Sequence, residues 1–506
     1  MYDVVLLSCS DFEIDEEANH RDRVGQIIWW MRPIGSYRLR THLERNGYST
    51  KVLEYVHQLS EDKLTSLLDK YVSADTKVLG ITSTFYFSYE RDRYNSIMYQ
   101  LERIKQKYPD IKIVLGGPSP SHIELDCVDV KINGYAENAI ISLLEGNDDN
   151  LLMGTHQYGF PDEYDIIWKD EDVINSNEVL SMEVARGCIF QCAFCNYPLN
   201  GKKKFDYVRA SNDIRDELLR NYENFGTTRY IFTDDTFNDS VYKLEVLYEA
   251  LQDLPFQLGF ATYIKPELLV RFEDQIDLLV ELGLEHPSFG IETLNPESRK
   301  SVYKGCTSEE VLEALGDLKN KCIKRDNGLI YSSHGNMIVG LPYEDKETLL
   351  GNVEKIYASK VCDDISWFPL AITDKKKIGG YVPLSPVDLN PEKYGYRTGN
   401  IDLFPNLTNK QTIRPDRKMF WVNSTNGMTF QSATSIALEI YLKYEKTKVA
   451  AGFQVPSLWS ANADVYSLFQ NGDLDIWNER HRDLSIQLIR NMSSQIEKYY
   501  NHQINL

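Results

Sequence analysis

The chain has 506 residues, more than one hydrophobic core usually organises, so two or three domains are expected. Hydrophobic residues at 42% and charged residues at 26% exclude a chain dominated by disorder, and a formal charge of −20 argues against extended nucleic-acid binding, which draws on many Lys and Arg contacts to phosphate. No apolar run reaches membrane-spanning length, and Met1 to Leu7 carries no basic flank or cleavage site, so no membrane partner and a cytoplasmic location are expected.

The first segment alternates short apolar runs with helical patterns: Val4 to Leu7, Tyr37 to Asn46, Lys51 to Tyr55, Lys77 to Ile81, Arg91 to Tyr108 and Ile111 to Leu115. Such alternation predicts an α/β, Rossmann-like domain over residues 1–145, a parallel sheet with helices on both faces. Its carboxyl edge would carry the loops Thr82-Ser83-Thr84 and Gly116-Gly117-Pro118-Ser119. A polar, weakly periodic stretch, 146–178, reads as a linker. Six strand patterns follow: Val179–Ala185, Arg229–Asp234, Gln257–Tyr263, Pro287–Glu292, Tyr331–Gly340 and Asp364–Leu370. With helical patterns between them they predict a partial (β/α)6 TIM-like barrel over 179–380, open along one side. Residues 381–506 read as a mixed, mainly α extension, a separate cap or substrate-binding segment with helices at Ala433–Tyr444 and Asp483–Tyr499.

Eight cysteines are too sparse for a disulfide scaffold, and three crowd into one loop, Cys188-Ile-Phe-Gln-Cys192-Ala-Phe-Cys195, directly after the first barrel strand. Barrel enzymes place their active sites at that face, and soft sulfur ligands suit iron–sulfur clusters or zinc. A closed zinc site needs a fourth ligand, yet the nearest later histidine is His286. Three thiolates therefore leave one coordination position open for a substrate.

This Cys-x3-Cys-x2-Cys spacing, with the aromatic Phe194 before the last cysteine, resembles the signature of the radical S-adenosylmethionine (SAM) superfamily. The resemblance implies that Cys188, Cys192 and Cys195 hold a [4Fe–4S] cluster and that SAM chelates its open iron. Reductive cleavage of SAM then yields a 5′-deoxyadenosyl radical that abstracts a substrate hydrogen. It further implies that Asp234 or Asp235, after the second strand, meets the methionyl ammonium. Glu292 ends the fourth strand, and Gly340, Leu341 and Pro342 end the fifth, in segments similar to those that pass beside the ribose and adenine. On the fifth strand Ser332, His334 and Asn336 share one face by alternation and are candidate substrate contacts; a satisfied core histidine is the other account of His334.

The order of the domains resembles the superfamily class with a cobalamin-binding domain. The resemblance is carried by Pro33-Ile-Gly35-Ser-Tyr-Arg-Leu, Gly80-Ile-Thr-Ser-Thr, Val114-Leu-Gly116-Gly117-Pro-Ser-Pro and Ile132-Asn-Gly134-Tyr-Ala-Glu137. It makes cobalamin a candidate cofactor, with loops at Ser83, Gly116, Gly117 and Gly134. The Asp-x-His-x-x-Gly motif that gives cobalt a histidine is missing, since His156-Gln-Tyr-Gly159 has Gly154 at the Asp position.

The leading reading is a radical SAM enzyme acting on an unreactive carbon, with cobalamin-dependent methylation as its most specific form. A cobalamin-independent cyclase, epimerase or oxidase is the alternative, and a non-catalytic zinc-binding scaffold is the alternative from another class. Expected partners are a small-molecule, nucleotide or peptide substrate and an electron donor such as flavodoxin or ferredoxin. Cys306, ahead of a helix, is in a setting that can lower a thiol's pKa and would suit a hydrogen-atom donor, or a buried structural thiol. Lys202 to Lys204 and Lys375 to Lys377 follow barrel strands and could draw an anionic substrate to the mouth, or be solvated loops.

Overall fold

A computed structural model describes residues 1–9, 31–82, 91–117, 125–147, 149–154, 164–176, 178–196, 208–373, 384–400, 418–445, 455–460, 469–470, 473–474 and 479–506. Ser83, His156 to Gly159 and both lysine triplets lie outside the described residues.

The first sheet holds six parallel strands, β1 (Val4–Leu7), β2 (Thr50–Leu53), β3 (Val78–Thr82), β4 (Lys112–Gly117), β5 (Val130–Asn133) and β6 (Leu151–Met153), in the order β2-β1-β3-β4-β5-β6. All four β1 residues are buried, as expected of a strand covered on both faces. Strand order reverses between β1 and β3, the switch point where open α/β sheets form a ligand crevice.

The expected linker is partly structure. Three of its residues form β6, too short and too polar in its flanks for periodicity to reveal. Beyond it Ile166 and Trp168 are buried, with the Trp168 ring 4.4 Å from that of Tyr37. Arg40 is fully buried and closes a double hydrogen bond on Asp172, at 2.6 and 2.7 Å. Half of the linker is therefore bolted to the first domain.

The second sheet runs in sequence order and is parallel throughout: β7 (Leu180–Met182), β8 (Arg229–Phe232), β9 (Gly259–Ile264), β10 (Leu284–Glu292), β11 (His334–Val339) and β12 (Asp364–Pro369). Among the described residues β7 and β12 do not pair, so the six expected strands make an open barrel.

Among the described residues the C-terminal extension is mixed and mainly helical, as expected, and it packs on both sheets rather than standing apart. Its strands β14 (Tyr396–Asn400) and β15 (Lys418–Asn423) form an antiparallel sheet with β13 (Ile372–Thr373), which follows β12 within the expected barrel span. The helix Phe430–Ile440 then packs on β11 and β12. The helix Val455–Ser460, buried along its whole length, sits at the amino end of the barrel. There Ser460 Oγ accepts from the Val179 amide at 2.9 Å, and Arg229 stacks 3.9 Å from the Trp459 ring. After the short hairpin β16 (Phe469–Gln470) and β17 (Asp473–Leu474), the last helix, Glu479–Asn505, returns to the first sheet. Leu488, Met492, Ile496 and Tyr499 share a core with Val5, Leu7 and Leu53. Tyr499 Oη accepts from the Glu54 amide at 2.9 Å and donates to the Val52 carbonyl at 3.3 Å.

Candidate active site at the cysteine loop

Gly187, at φ +73°, turns the chain out of β7 into the cysteine loop, a conformation open to glycine without strain. The loop is then pinned from two sides: the Ala193 amide donates to the Val302 carbonyl at 3.3 Å, and its carbonyl accepts from the Val387 amide at 2.9 Å. Phe194 is half-buried against the barrel core. All three cysteines are free thiols. Cys188 is buried, 3.2 Å from Thr236 Oγ1, and its sulfur accepts from the Phe190 amide at 3.4 Å. Burial raises its pKa, so a metal or cation must stabilise its thiolate. Among the described residues no three Cys, His, Asp or Glu side chains surround a single ion. A cluster asks less, because each thiolate binds a different iron.

Cations line the other side of the loop. Lys265 Nζ, at the end of β9, donates to Cys192 Sγ at 3.6 Å and lies 4.7 Å from the Phe190 ring. Glu267 stands between Lys265 at 3.5 Å, Lys304 at 3.6 Å and Arg299 at 2.7 Å. Burial works against the Glu267 anion, but these three cations outweigh it and lower its pKa. Lys304 also donates to the Gly290 carbonyl at 2.6 Å and reaches Glu292 at 3.9 Å.

Glu292 leaves β10 through a register shift at φ +69°, a left-handed conformation that a non-glycine residue holds only at a cost of about 1–3 kcal/mol. Gly290 makes room for it, since a Cβ there would stand 2.8 Å from Glu292 Oε1. Residues held in such conformations cluster at active sites, and barrel enzymes build theirs at this carboxyl end.

Other expected residues also carry structural contacts. Asp234 accepts from the Val184 and Ala185 amides at 2.9 and 3.2 Å and pairs with Lys243 at 3.3 Å, so it staples the β7 and β8 ends together. Asp235 is half-buried, and its charge is felt at Glu183 and Cys188. Gly340 has φ +100°, and a Cβ there would lie 2.4 Å from Trp421 Cη2, so packing against the extension by itself demands glycine. The Leu341 carbonyl accepts from Asn426 at 2.9 Å, and that of Pro342 accepts from Ser298 Oγ.

On β11, His334, Asn336 and Ile338 are half-buried while Gly335, Met337 and Val339 are buried, as alternation predicts. Height is what alternation cannot supply. Ser332 precedes the strand and His334 opens it, roughly 16 Å below the carboxyl end at about 3.3 Å per residue. His334 Nδ1 is 2.8 Å from Asp364 Oδ1; burial disfavours its charge, yet Asp364 outweighs that and raises its pKa. Asn336 donates to Ser288 Oγ at 2.9 Å.

Residues 182–356 match the family model of the radical SAM superfamily. This segment is a radical SAM domain. The chain is 23% identical over 372 residues, 67% of its length and 75% of the relative's, to an uncharacterized methyltransferase of Pyrococcus horikoshii. To the anaerobic magnesium-protoporphyrin IX monomethyl ester cyclase of Rubrivivax gelatinosus it is 25% identical, spanning 62% of this chain and 59% of the cyclase. Its fold is similar to that of the radical SAM methyltransferase TsrM from Kitasatospora setae, solved with cobalamin and a [4Fe–4S] cluster. The TM-score is 0.63 at 15% identity, over 98% of this chain and 100% of that one.

The radical SAM domain is held against the first sheet by buried charges. Arg186, two residues before Cys188, pairs with Glu137 after β5 at 2.6 Å and with Glu183 at 3.1 Å, and Arg38 reaches Glu183 at 2.8 Å. The Arg186 guanidinium also lies 3.8 and 4.1 Å from the Tyr135 and Tyr164 rings. On the same sheet edge Asn133 is 1% exposed, with neither amide atom hydrogen-bonded among the described residues. Gly117, at φ +123°, bridges to Gly134, at φ +86°, beside it, and Gly116 has open space at its Cβ position. Sequence reasoning missed Asn133, Lys265, Glu267 and Lys304. Only Asn133 carried a signal, as the last polar residue of an apolar strand.

Proposed function

We propose that this protein is a cobalamin-dependent radical SAM methyltransferase whose cluster is held by Cys188, Cys192 and Cys195. The observation that carries the reading is the Arg186–Glu137 pair, which brings the cysteine loop against the carboxyl edge of the first sheet. Two cofactors that act on one substrate need that proximity. The donor sets fit both groups. Three free thiols flanked by Lys265 and the Phe190 amide suit an anionic cluster. The side-chain amide of Asn133, unpartnered among the described residues, and the glycines at 116, 117 and 134 suit a large ligand bearing amide groups.

When bound, the cluster supplies an electron to SAM and cobalamin supplies a transferable methyl group. The chain's own part is to bind and orient. Glu292 and Lys304 would offer charge at the mouth for the polar end of SAM, and the pinned cysteine loop would hold the three thiolates that take up the cluster. The likeness to the Rubrivivax cyclase supports a second reading, a radical cyclisation in place of methyl transfer to the substrate.

Anaerobic reconstitution with iron, sulfide and hydroxocobalamin tests both. The methyltransferase should hold about four iron atoms and one cobalt per chain and release S-adenosylhomocysteine under reduction. 5′-Deoxyadenosine without S-adenosylhomocysteine supports the second reading. Zinc in place of iron, with SAM left intact, overturns both.

A further inference from the structure

Lys265 is built into the site more firmly than a surface lysine could be. It is 9% exposed, and its backbone is clamped from both directions by one side chain. Asn238 Oδ1 accepts from the Lys265 amide at 2.9 Å, and Asn238 Nδ2 donates to the Lys265 carbonyl at 3.2 Å. Asn238 is itself fully buried and locked by Gln275, through bonds of 3.0 and 3.1 Å. Pro266 then starts the next helix, which fixes the chain direction immediately after the lysine. The stem passes the Phe190 ring, and the ammonium ends between Cys192 Sγ at 3.6 Å and Glu267 at 3.5 Å.

Among the described residues the local charges do not cancel. Lys265, Lys304 and Arg299 face Glu267 and Glu292, three cations against two carboxylates. The excess positive charge adjoins Cys192, whose sulfur is felt at Lys304 as well. A buried cation without a full complement of anions is costly, and a thiolate-bound anionic cluster would offset it. Hydrogen bonds to ligating sulfur and nearby net charge both set the potential of an iron–sulfur cluster.

We infer that Lys265 is a positioning residue for the cluster assigned above, donating a charge-assisted hydrogen bond to the Cys192 thiolate and making the cluster easier to reduce. The step concerned is a one-electron reduction by an external donor. One electron enters the cluster, no bond to Lys265 breaks and no proton leaves it. The added negative charge is stabilised more in the reduced state than in the oxidised one, so the equilibrium shifts toward reduction.

The test uses the full-length reconstituted protein, with iron and sulfide assayed first and a redox titration followed by electron paramagnetic resonance without SAM. Lys265→Met should keep its cluster and lower the reduction equilibrium constant roughly tenfold, a shift of about 59 mV to more negative potential for one electron. Lys265→Arg should stay near wild type, and Glu267→Gln, which removes a negative charge from the ammonium, should move the potential the other way. An intact cluster in Lys265→Met at the wild-type potential overturns the inference, as does a shift that emerges only when SAM is present. Should Lys265→Met fail to take up iron, the sign of the Glu267→Gln shift decides. A wild-type protein without iron overturns the cluster assignment as well, so the two failures are distinguishable.

Discussion

Replacing Gly340 by alanine separates a packing role from a ligand-binding one. The residue sits at φ +100°, where an L side chain costs about 1–3 kcal/mol. The added Cβ would stand 2.4 Å from Trp421 Cη2 and 2.8 Å from Cζ2. Trp421 has nowhere to go: it is fully buried, its Nε1 donates to the Leu370 carbonyl at 2.9 Å, and Tyr396 and Phe430 meet it edge-on at 5.3 and 6.2 Å. Overpacking of this kind costs another 1–3 kcal/mol or so, which brings the expected loss to roughly 2–6 kcal/mol. Urea denaturation followed by circular dichroism reads it. In a Trp421→Phe background the clashing ring atoms are gone and only the backbone share should remain, leaving a coupling of about 1–3 kcal/mol between the two sites. Equal costs in both backgrounds would refute the steric argument. Unchanged stability with weakened SAM binding would return Gly340 to the ligand.

Glu344 is 1% exposed and its carboxyl is raised to about 7, chiefly by burial, against opposing hydrogen bonds from Asn352 and Thr293. Folded protein then holds a proton that unfolded protein has released, so stability should fall as pH rises from about 4.5 to 7; Glu344→Gln should flatten that slope, and an identical slope in the variant refutes the assignment. Burial, then the charges of Glu267 and Glu310, raises the Cys306 thiol, opposite to the expectation from its place ahead of a helix. Iodoacetamide at pH 8 should therefore label it more slowly than a free cysteine, and fast labelling would contradict this. Tyr499→Ala should cost about 3–5 kcal/mol by emptying a fully buried site, and limited proteolysis should then open the first domain before the barrel; protection equal to wild type would mean that the last helix does not brace that domain.

Which parts of the molecule were legible follows from the range of the interactions. Buried parallel strands are apolar runs bounded by turn residues, so all six barrel strands could be read from residues near one another in the chain. The cysteine loop was legible for the same reason, its three sulfurs lying within one turn of sequence. Lys265 and Cys192 are 73 positions apart, and nothing local to either predicts their contact. Gly340 shows the same limit from the other side. A glycine before Leu-Pro signals a backbone need, but the local pattern cannot distinguish a nucleotide from a distant tryptophan as its cause. For His334 the period of two gave the correct face and no height along the barrel, because register with β10 and β12 is a long-range property.

The same distinction explains how the two halves are joined. Glu137 and Arg186 follow strands of different sheets, and a buried charge that loses its main counter-charge is expensive. Burial pulls the Arg186 pKa down to about 10, with Glu137 holding it up, so loss of that carboxylate removes the guanidinium's tie to the first domain and leaves Glu183 as its carboxylate partner among the described residues. Breaking such a pair is costly, whereas replacing both partners by apolar groups often is not. A Glu137→Gln chain should thus lose interdomain order, while a double replacement of Glu137 and Arg186 by leucine and methionine should recover stability without recovering the alignment of the loop. Hydrogen exchange in the loop, read against global stability, separates the two effects. If the pair serves only stability, the double variant regains protection at Cys188 to Cys195; if it sets the alignment of the two cofactor sites, stability returns and that protection does not.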